Sequence, residues 1–457
     1  MLSLQSHPAS YRDPSGFIFE KDGVIYRQVN QSYKEDFELF DASGCLNHFI
    51  EKGVLVNVQQ VKENLTGTEN WYTTLLPEQL SFISYPYEWS FDMLKDAALL
   101  TLQLAKEAIP FGMILKDATP YNIQWHKRRM IFIDTLSFEK YDDSKPWIAY
   151  RQFCECFLGP LLLMHYSKQH LQNLLLAYPE GIPLSITKSL LPFRSWFSFF
   201  TYLHIHLHEK LTRPGKPTPK QSATFSKTKM LNLLNSLEVI IKKLKAPVQK
   251  TNWSEYYEEA GLRGDYIQQK EKIIQGWLSE LPGLKTAIDL GANDGYFSQL
   301  PAAKNIYTIA AEADANCINN LYIQSKQKAT ASIHPLILDL ANPTPAIGVN
   351  NKERSSFLHR AKVDLAMALA LIHHLSVGKN MSFDQCADLF SSVTGKLIIE
   401  FVPKEDEKVQ LLLLHKKDIY PSYTIEEFEQ AFSKYFNIEK KQIIPGTQRV
   451  LYLMNKL

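Results

Sequence analysis

The segment Thr286-Ala-Ile-Asp-Leu-Gly-Ala-Asn-Asp-Gly-Tyr-Phe-Ser298 constrains this chain more than any other. A short apolar run enters a turn punctuated by Gly291 and Gly295 and leaves as a helical pattern, the local order of a parallel sheet covered on both faces. Glycine at these positions lets backbone approach a ligand where a side chain would block it. In doubly wound sheets, ligands bind at such a turn, at the carboxyl end of the first strand. The turn carries no Lys-Ser/Thr pair and lacks the third glycine of the dinucleotide fingerprint, so it suits a ligand without a pyrophosphate.

The segments that follow repeat the strand pattern. Ile306 to Glu312 ends in an acid at the separation from the first strand at which an acid meets ribose hydroxyls in nucleotide-binding βαβ units, with Asp314 as a nearby second acid. Pro335 to Leu340 carries Asp339, Val363 to Ile372 runs into His373-His374, and Gly395 to Pro403 holds Glu400 close to Lys404. Helix capping explains one strand-end acid easily, but three in succession point to a ligand. A charge inside an apolar strand is costly unless paired, so Glu400 is expected to face a pocket or meet a cation such as Lys404. Phe436 to Glu439 and Arg449 to Met454 read as a closing hairpin.

The first of these segments resembles motif I of class I S-adenosylmethionine-dependent methyltransferases: an apolar strand, an acidic residue, then Leu-Gly-x-x-x-Gly. The resemblance spans about Lys285 to Leu457 and implies an α/β, doubly wound Rossmann-like methyltransferase sheet. It implies that Asp289, Gly291, Ala292, Asn293 and Gly295 face the methionine part of S-adenosyl-L-methionine. Glu312 and Asp314 would take the ribose, with Asp339 and Leu340 at the adenine. By position, His373, His374 and Glu400 would face the methyl acceptor, a histidine taking the acceptor's proton. For the two histidines, capping or packing of the next helix stays open. Ala370-Leu-Ile-His-His-Leu375, Leu397-Ile-Ile-Glu-Phe-Val-Pro-Lys404 and Asp418-Ile-Tyr-Pro-Ser-Tyr-Thr424 together are similar to a bacterial group of large class I methyltransferases with a long amino-terminal extension and an unassigned acceptor.

Upstream, Phe17 to Arg27 reads as a hairpin turning at Lys21-Asp22-Gly23, and Phe91 to Ala108 as a helix with Met93, Ala97, Leu100, Leu104 and Ala108 on one face. Two short strands, Ile123 to Trp125 and Met130 to Ile133, flank the basic turn His126 to Arg129. Leu115-Lys-Asp117-Ala-Thr-Pro-Tyr-Asn122, followed by Ile131-Phe-Ile-Asp134-Thr135, resembles the catalytic region of protein-kinase-like and aminoglycoside-kinase-like phosphotransferases. The resemblance implies Asp117 as base and Asn122 and Asp134 as ligands of magnesium with ATP. Ile83 to Glu88 stands where the hinge belongs. Leu115 replaces the usual histidine, Thr135 stands where Phe-Gly is common, and neither a glycine-rich loop nor a strand lysine precedes them. These departures favour a degenerate α+β kinase-like module that binds a partner or substrate, with Asp117 and Asn122 retained as turn formers.

At 457 residues the chain exceeds one hydrophobic core. The stretch Arg213 to Lys229, rich in Pro, Ser, Thr and Lys, separates the halves and precedes an amphipathic helix over Met230 to Leu244 and a second from about Ser254 into Trp277. The expected division is 1–212 kinase-like, 213–250 linker and connecting helix, and 251–457 methyltransferase, with the boundary near Val248. A net charge of +2 gives no pull toward nucleic acid, leaving small molecule, protein or RNA open as the acceptor. Five scattered cysteines argue against a disulfide framework, and Cys154-x-Cys156 reads as packing. No basic-then-apolar leader opens Met1 to Asp13, and no apolar run is long and unbroken enough to span a bilayer, so a cytoplasmic protein with no membrane partner is expected. His204-x-His206-x-His208 spreads around a helix axis rather than sharing a face and reads as a solvated helix end, not a metal site. The competing readings are a phosphotransferase or bifunctional enzyme centred on Asp117, Asn122 and Asp134, and a binding scaffold without catalysis.

Overall fold

A computed structural model describes residues 6–11, 13–212, 225–248, 265–327, 333–414 and 416–457. Most of the linker composition and the expected helix start at Ser254 lie outside these residues. The chain forms two compact units, one of residues 1–248 with 347–354, the other of 249–346 with 355–457.

In the first unit, strands β1 (Gly16–Lys21), β2 (Val24–Asn30), β3 (Val58–Val61) and β4 (Trp71–Pro77) form an antiparallel sheet in the order β1-β2-β4-β3. The first hairpin turns at Asp22 and Gly23, both with positive φ, which the Asp-Gly pair tolerates. Val29, Tyr33, Phe37, Leu75 and Leu136 build a core beside this sheet. The helix Phe91–Ala108 buries the face its periodicity predicts. After it, β5 (Met113–Leu115) pairs with β8 (Phe138–Lys140) and β6 (Ile123–His126) with β7 (Arg129–Phe132). The helix Lys227–Lys243, expected to be a connector, packs within this unit, with Lys106 on Glu238 at 2.7 Å.

The solvated reading of His204, His206 and His208 is wrong. They lie on a buried π-helical stretch, Tyr202–Leu207, and its continuation. His204 hydrogen-bonds Tyr150 Oη at 2.8 Å and Ser236 Oγ at 3.0 Å, while His206 meets Ser195 Oγ at 2.9 Å. Burial pushes the His204 pKa down to about 4, so the imidazole serves as a neutral hydrogen-bonding strut.

In the second unit, β9 (Thr286–Leu290), β10 (Tyr307–Glu312), β11 (Ile333–Ile337), β12 (Val363–Ala368), β13 (Thr394–Phe401), β14 (Phe436–Ile443) and β15 (Val450–Lys456) form one sheet in the order β11-β10-β9-β12-β13-β15-β14. The first five run parallel, and β15 enters antiparallel between β13 and β14. The chain starts in the middle, winds outward to β11, then crosses to β12. That reversal places a topological switch point beside β9, where a doubly wound sheet opens a crevice. Apolar residues cover both faces: Ile274, Trp277 and Leu278 pack with Leu365, Met367 and Leu453 on one side, and Ile318 and Leu321 with Ala310 and Ile333 on the other. Continuous apolar strands are what two-sided burial demands. Among the described residues, no helix is long and apolar enough to cross a membrane.

Candidate functional site

A cavity of about 350 Å³ lies at the carboxyl ends of the central strands of the second unit. Asp289, Gly291, Ala292, Asn293, Glu312, Asp339, Leu340 and His374 line it, together with residues that sequence reasoning did not single out.

Asp289 sits in the central strand in register with Ala310 and Met367, a carboxylate among apolar neighbours. Ser298 Oγ donates to its Oδ2 at 2.7 Å. Burial raises its pKa to about 6, against the pull of Ser298 and the positive charge of Lys270. Gly291 takes φ +75°, and its N–H and that of Ala292 both donate to Ala311 O, folding the turn across the end of β10. A Cβ at Gly291 would stand 3.0 Å from Leu371 Cδ1, on the cavity wall. Gly295, also left-handed, does not line the cavity: a Cβ there would meet Leu321 of the helix Ala315–Gln327 at 2.7 Å, so it is required for packing.

Glu312 ends β10. Its Oε2 accepts from Asn293 N at 3.1 Å and its Oε1 from Asp314 N at 2.9 Å, so backbone fixes the carboxylate at the cavity wall. Burial raises its pKa, opposed by these backbone donors. Asp314 turns the other way, accepting from Asn316 N and Cys317 N to cap the next helix. Asp339, just past β11, accepts from Ala341 N at 2.9 Å and stands 3.5 Å from Lys379 Nζ, which also lines the cavity.

β12 ends at Ala368, earlier than expected, and Leu369, Ala370 and Leu371 leave it along the cavity wall. His374 lines the cavity; His373 does not. His373 is buried, its ring 4.0 Å from that of His374, and neither of its ring nitrogens has a hydrogen-bond partner among the described residues. Burial, then Lys408 and Arg449, push the His374 pKa down to about 4; burial, then His374, also hold that of His373 well below the usual imidazole value. Both imidazoles are neutral at neutral pH.

Glu400 lies outside the cavity lining and meets cations other than Lys404. It is fully buried, accepting from Tyr266 Oη at 2.6 Å, from Lys270 Nζ and from Arg449 Nη1 at 3.2 Å. Arg449 also donates to Tyr266 Oη at 2.7 Å and, through Nε and Nη2, to both oxygens of Asp406 at 2.8 and 3.0 Å. Burial opposes ionisation of Glu400, yet Lys270 and Arg449 outweigh it and bring its pKa down to about 2. Lys404 pairs instead with Asp418. Tyr266 and Lys270, one turn apart on the helix Tyr266–Ser279, do line the cavity, so Glu400 reaches it only through them. The signal for them was a lysine and a tyrosine on the core-facing stripe of the helix entering β9, which needs a buried anion elsewhere in the chain.

In the first unit Asp117, Asn122 and Asp134 come together. Asn122 Nδ2 donates to Asp117 Oδ2 at 3.1 Å, and Gln152 Nε2 donates to Asp117 Oδ1 at 2.5 Å. Asp134 accepts from Arg27, Leu136 N and Ser137 Oγ. The magnesium and ATP implied for this cluster do not fit it, because both carboxylates are already engaged by protein donors and one is paired with an internal guanidinium. Among the described residues no group of three or more His, Cys, Asp or Glu is arranged to hold a metal.

No family model matches the chain. It is 32% identical over 457 residues to the nodulation protein NoeA of Rhizobium meliloti strain 1021, covering 98% of this chain and 95% of that protein. Among solved structures, the bifunctional kinase-methyltransferase WbdD aligns at 15% identity and a TM-score of 0.30 over 48% of this chain and 45% of its own, so less than half of WbdD is spanned. Magnesium protoporphyrin IX methyltransferase from Synechocystis PCC 6803 with bound SAH aligns at 14% identity and a TM-score of 0.31, over 46% of this chain and 90% of its own. Likenesses this slight decide nothing about the site, whose interpretation rests on its own geometry.

Proposed function

We propose that this chain, which belongs to the family of the nodulation protein NoeA, is an S-adenosylmethionine-dependent methyltransferase whose reaction centre is the cavity of the second unit. The observation that carries the reading is the convergence of Asp289, the left-handed Gly291 turn and Glu312 on one cavity at the switch point of a parallel sheet.

The residues present suit that cofactor. About 350 Å³ is within the range of small-ligand pockets. Asp289, ionised above about pH 6 and buried, is matched to an ammonium group. Glu312, held at the cavity wall by the backbone N–H groups of Asn293, Asp314 and Ala313, would turn its remaining acceptor capacity to vicinal hydroxyls. Leu338, Leu340 and Leu371 give an apolar wall for a flat ring, with Asp339 at its edge to accept from an amino group. When bound, S-adenosylmethionine supplies an electrophilic methyl on a sulfonium.

The chain's own task is then alignment and proton management. Tyr266 and Lys270, fixed by Glu400 and Arg449, form a rigid polar wall. Lys270 brings positive charge next to Asp289, matching a zwitterionic amino-acid end. His374, held neutral by burial, has a lone pair for an acceptor proton throughout the neutral range. His373 is a positioning residue behind it. The acceptor stays open among small molecule, protein and RNA. Equilibrium dialysis with labelled S-adenosylmethionine tests the reading: saturable one-to-one binding, lost in Glu312→Ala, is expected, and no binding by the folded wild type would refute it.

A further inference from the structure

The resemblance of Asp117, Asn122 and Asp134 to a phosphotransferase centre leads to the expectation of a divalent cation, and the geometry points elsewhere. We infer that Arg27 is the resident cation of this cluster, so the first unit excludes magnesium-ATP and uses its acids as an internal clasp joining β2 to the loop after β7.

Arg27 projects from β2 and its Nη1 donates to Asp134 Oδ1, with both side chains 14% exposed. The same oxygen accepts from Leu136 N at 3.0 Å, and Oδ2 accepts from Ser137 Oγ at 2.7 Å. Asn122 Nδ2 bridges Asp117 Oδ2 and Ser137 Oγ, at 3.1 Å each. Gln152 closes the remaining side: its amide nitrogen is on Asp117 Oδ1 and its carbonyl accepts from Ala118 N at 2.7 Å. Magnesium needs near-octahedral oxygen ligands at about 2.0–2.1 Å with free lone pairs. Here the oxygens are directed at nitrogen and hydroxyl donors, and a delocalised guanidinium that never loses its proton already supplies the positive charge.

A second observation agrees. A polyphosphate is gripped by an open run of backbone N–H groups, but the first hairpin closes in two residues, Asp22 and Gly23, with Lys21 paired to Val24. Lys116, next to Asp117 in sequence, donates to Ser15 Oγ at 3.0 Å and lies 4.5 Å over the Tyr33 ring, so it too is committed to protein.

The test titrates the full chain with manganese, as a paramagnetic substitute for magnesium, with and without ATP, following water-proton relaxation. Wild type and Arg27→Lys should hold no manganese at the cluster, whereas Arg27→Met should gain at least about tenfold in manganese affinity and lose it again in Arg27→Met/Asp134→Asn. Stoichiometric manganese or manganese-ATP binding by wild type that disappears in Asp134→Asn would overturn the inference. So would an Arg27→Met chain with wild-type circular dichroism that gains nothing. If Arg27→Met fails to fold, the wild-type and Arg27→Lys arms still decide.

Discussion

Lys270 Nζ donates to Glu400 Oε2 across 130 residues of sequence, with the two side chains 3% and 0% exposed. This bond ties the helix ahead of β9 to β13 and sets the side of the cavity on which Tyr266 stands. A buried pair contributes little net stability compared with an apolar pair, but breaking it leaves an uncompensated charge.

Glu400→Gln should therefore destabilise the chain by about 3–5 kcal/mol, measured by urea unfolding, because Lys270 and Arg449 lose their shared anion. The double variant Glu400→Gln/Lys270→Met should recover most of that loss. An equally unstable double variant would show that the pair is not the source of the cost.

The same carboxylate shapes acid stability. Its folded pKa, about 2, lies below the ordinary 4.5. The folded state thus holds this proton more weakly than the unfolded chain, and the contribution is fully present above pH 4.5 and lost as pH falls through about 2. Unfolding free energy followed from pH 5 to 2 should decline, and the part of the decline due to this group should vanish in Glu400→Gln.

Asp289 works in the opposite sense. Its folded pKa, about 6, is raised above 3.8, so its ionised form costs stability above pH 6 and its protonated form predominates below. Affinity for a ligand ammonium should weaken by up to about tenfold per pH unit below 6, and Asp289→Asn should bind weakly with a flat pH profile. Calorimetry between pH 5 and 8 reads both.

Gly291→Ala places a Cβ 3.0 Å from Leu371 Cδ1 in a left-handed backbone that costs an L-residue about 1–2 kcal/mol. Cofactor affinity should fall at least about tenfold with the fold retained. Gly295→Ala should instead lower thermal stability first, since Leu321 and not the cavity receives the new methyl.

Much of the second unit was legible from the sequence because local and global signals coincide there. The strand into Gly291, the acid ending β10 and the apolar run of β12 each have a cause within a dozen residues. Tyr266, Lys270 and Arg449 were not legible, since their roles are set by Glu400, a partner more than a hundred residues away for the first two and 49 for the last. Glu400 was expected to face the pocket or to meet a cation such as Lys404; it meets Lys270 and Arg449 instead, which sequence proximity did not favour. The three histidines near residue 206 went wrong for a related reason: their spread around a helix axis beside charged residues suggested a solvated end, while the rings are covered by aromatic side chains distant in sequence, Tyr150 against His204 and His208 and Trp196 against His206.

Calorimetric titration of the full chain with S-adenosylmethionine and, separately, with magnesium-ATP, repeated on Gly291→Arg and Glu312→Ala, shows which cofactor the protein takes and at which unit. Wild type should bind S-adenosylmethionine one-to-one, both variants should lose that heat, and magnesium-ATP should give none. Binding of magnesium-ATP alone would contradict the methyltransferase reading and move the chemistry to Asp117 and Asp134.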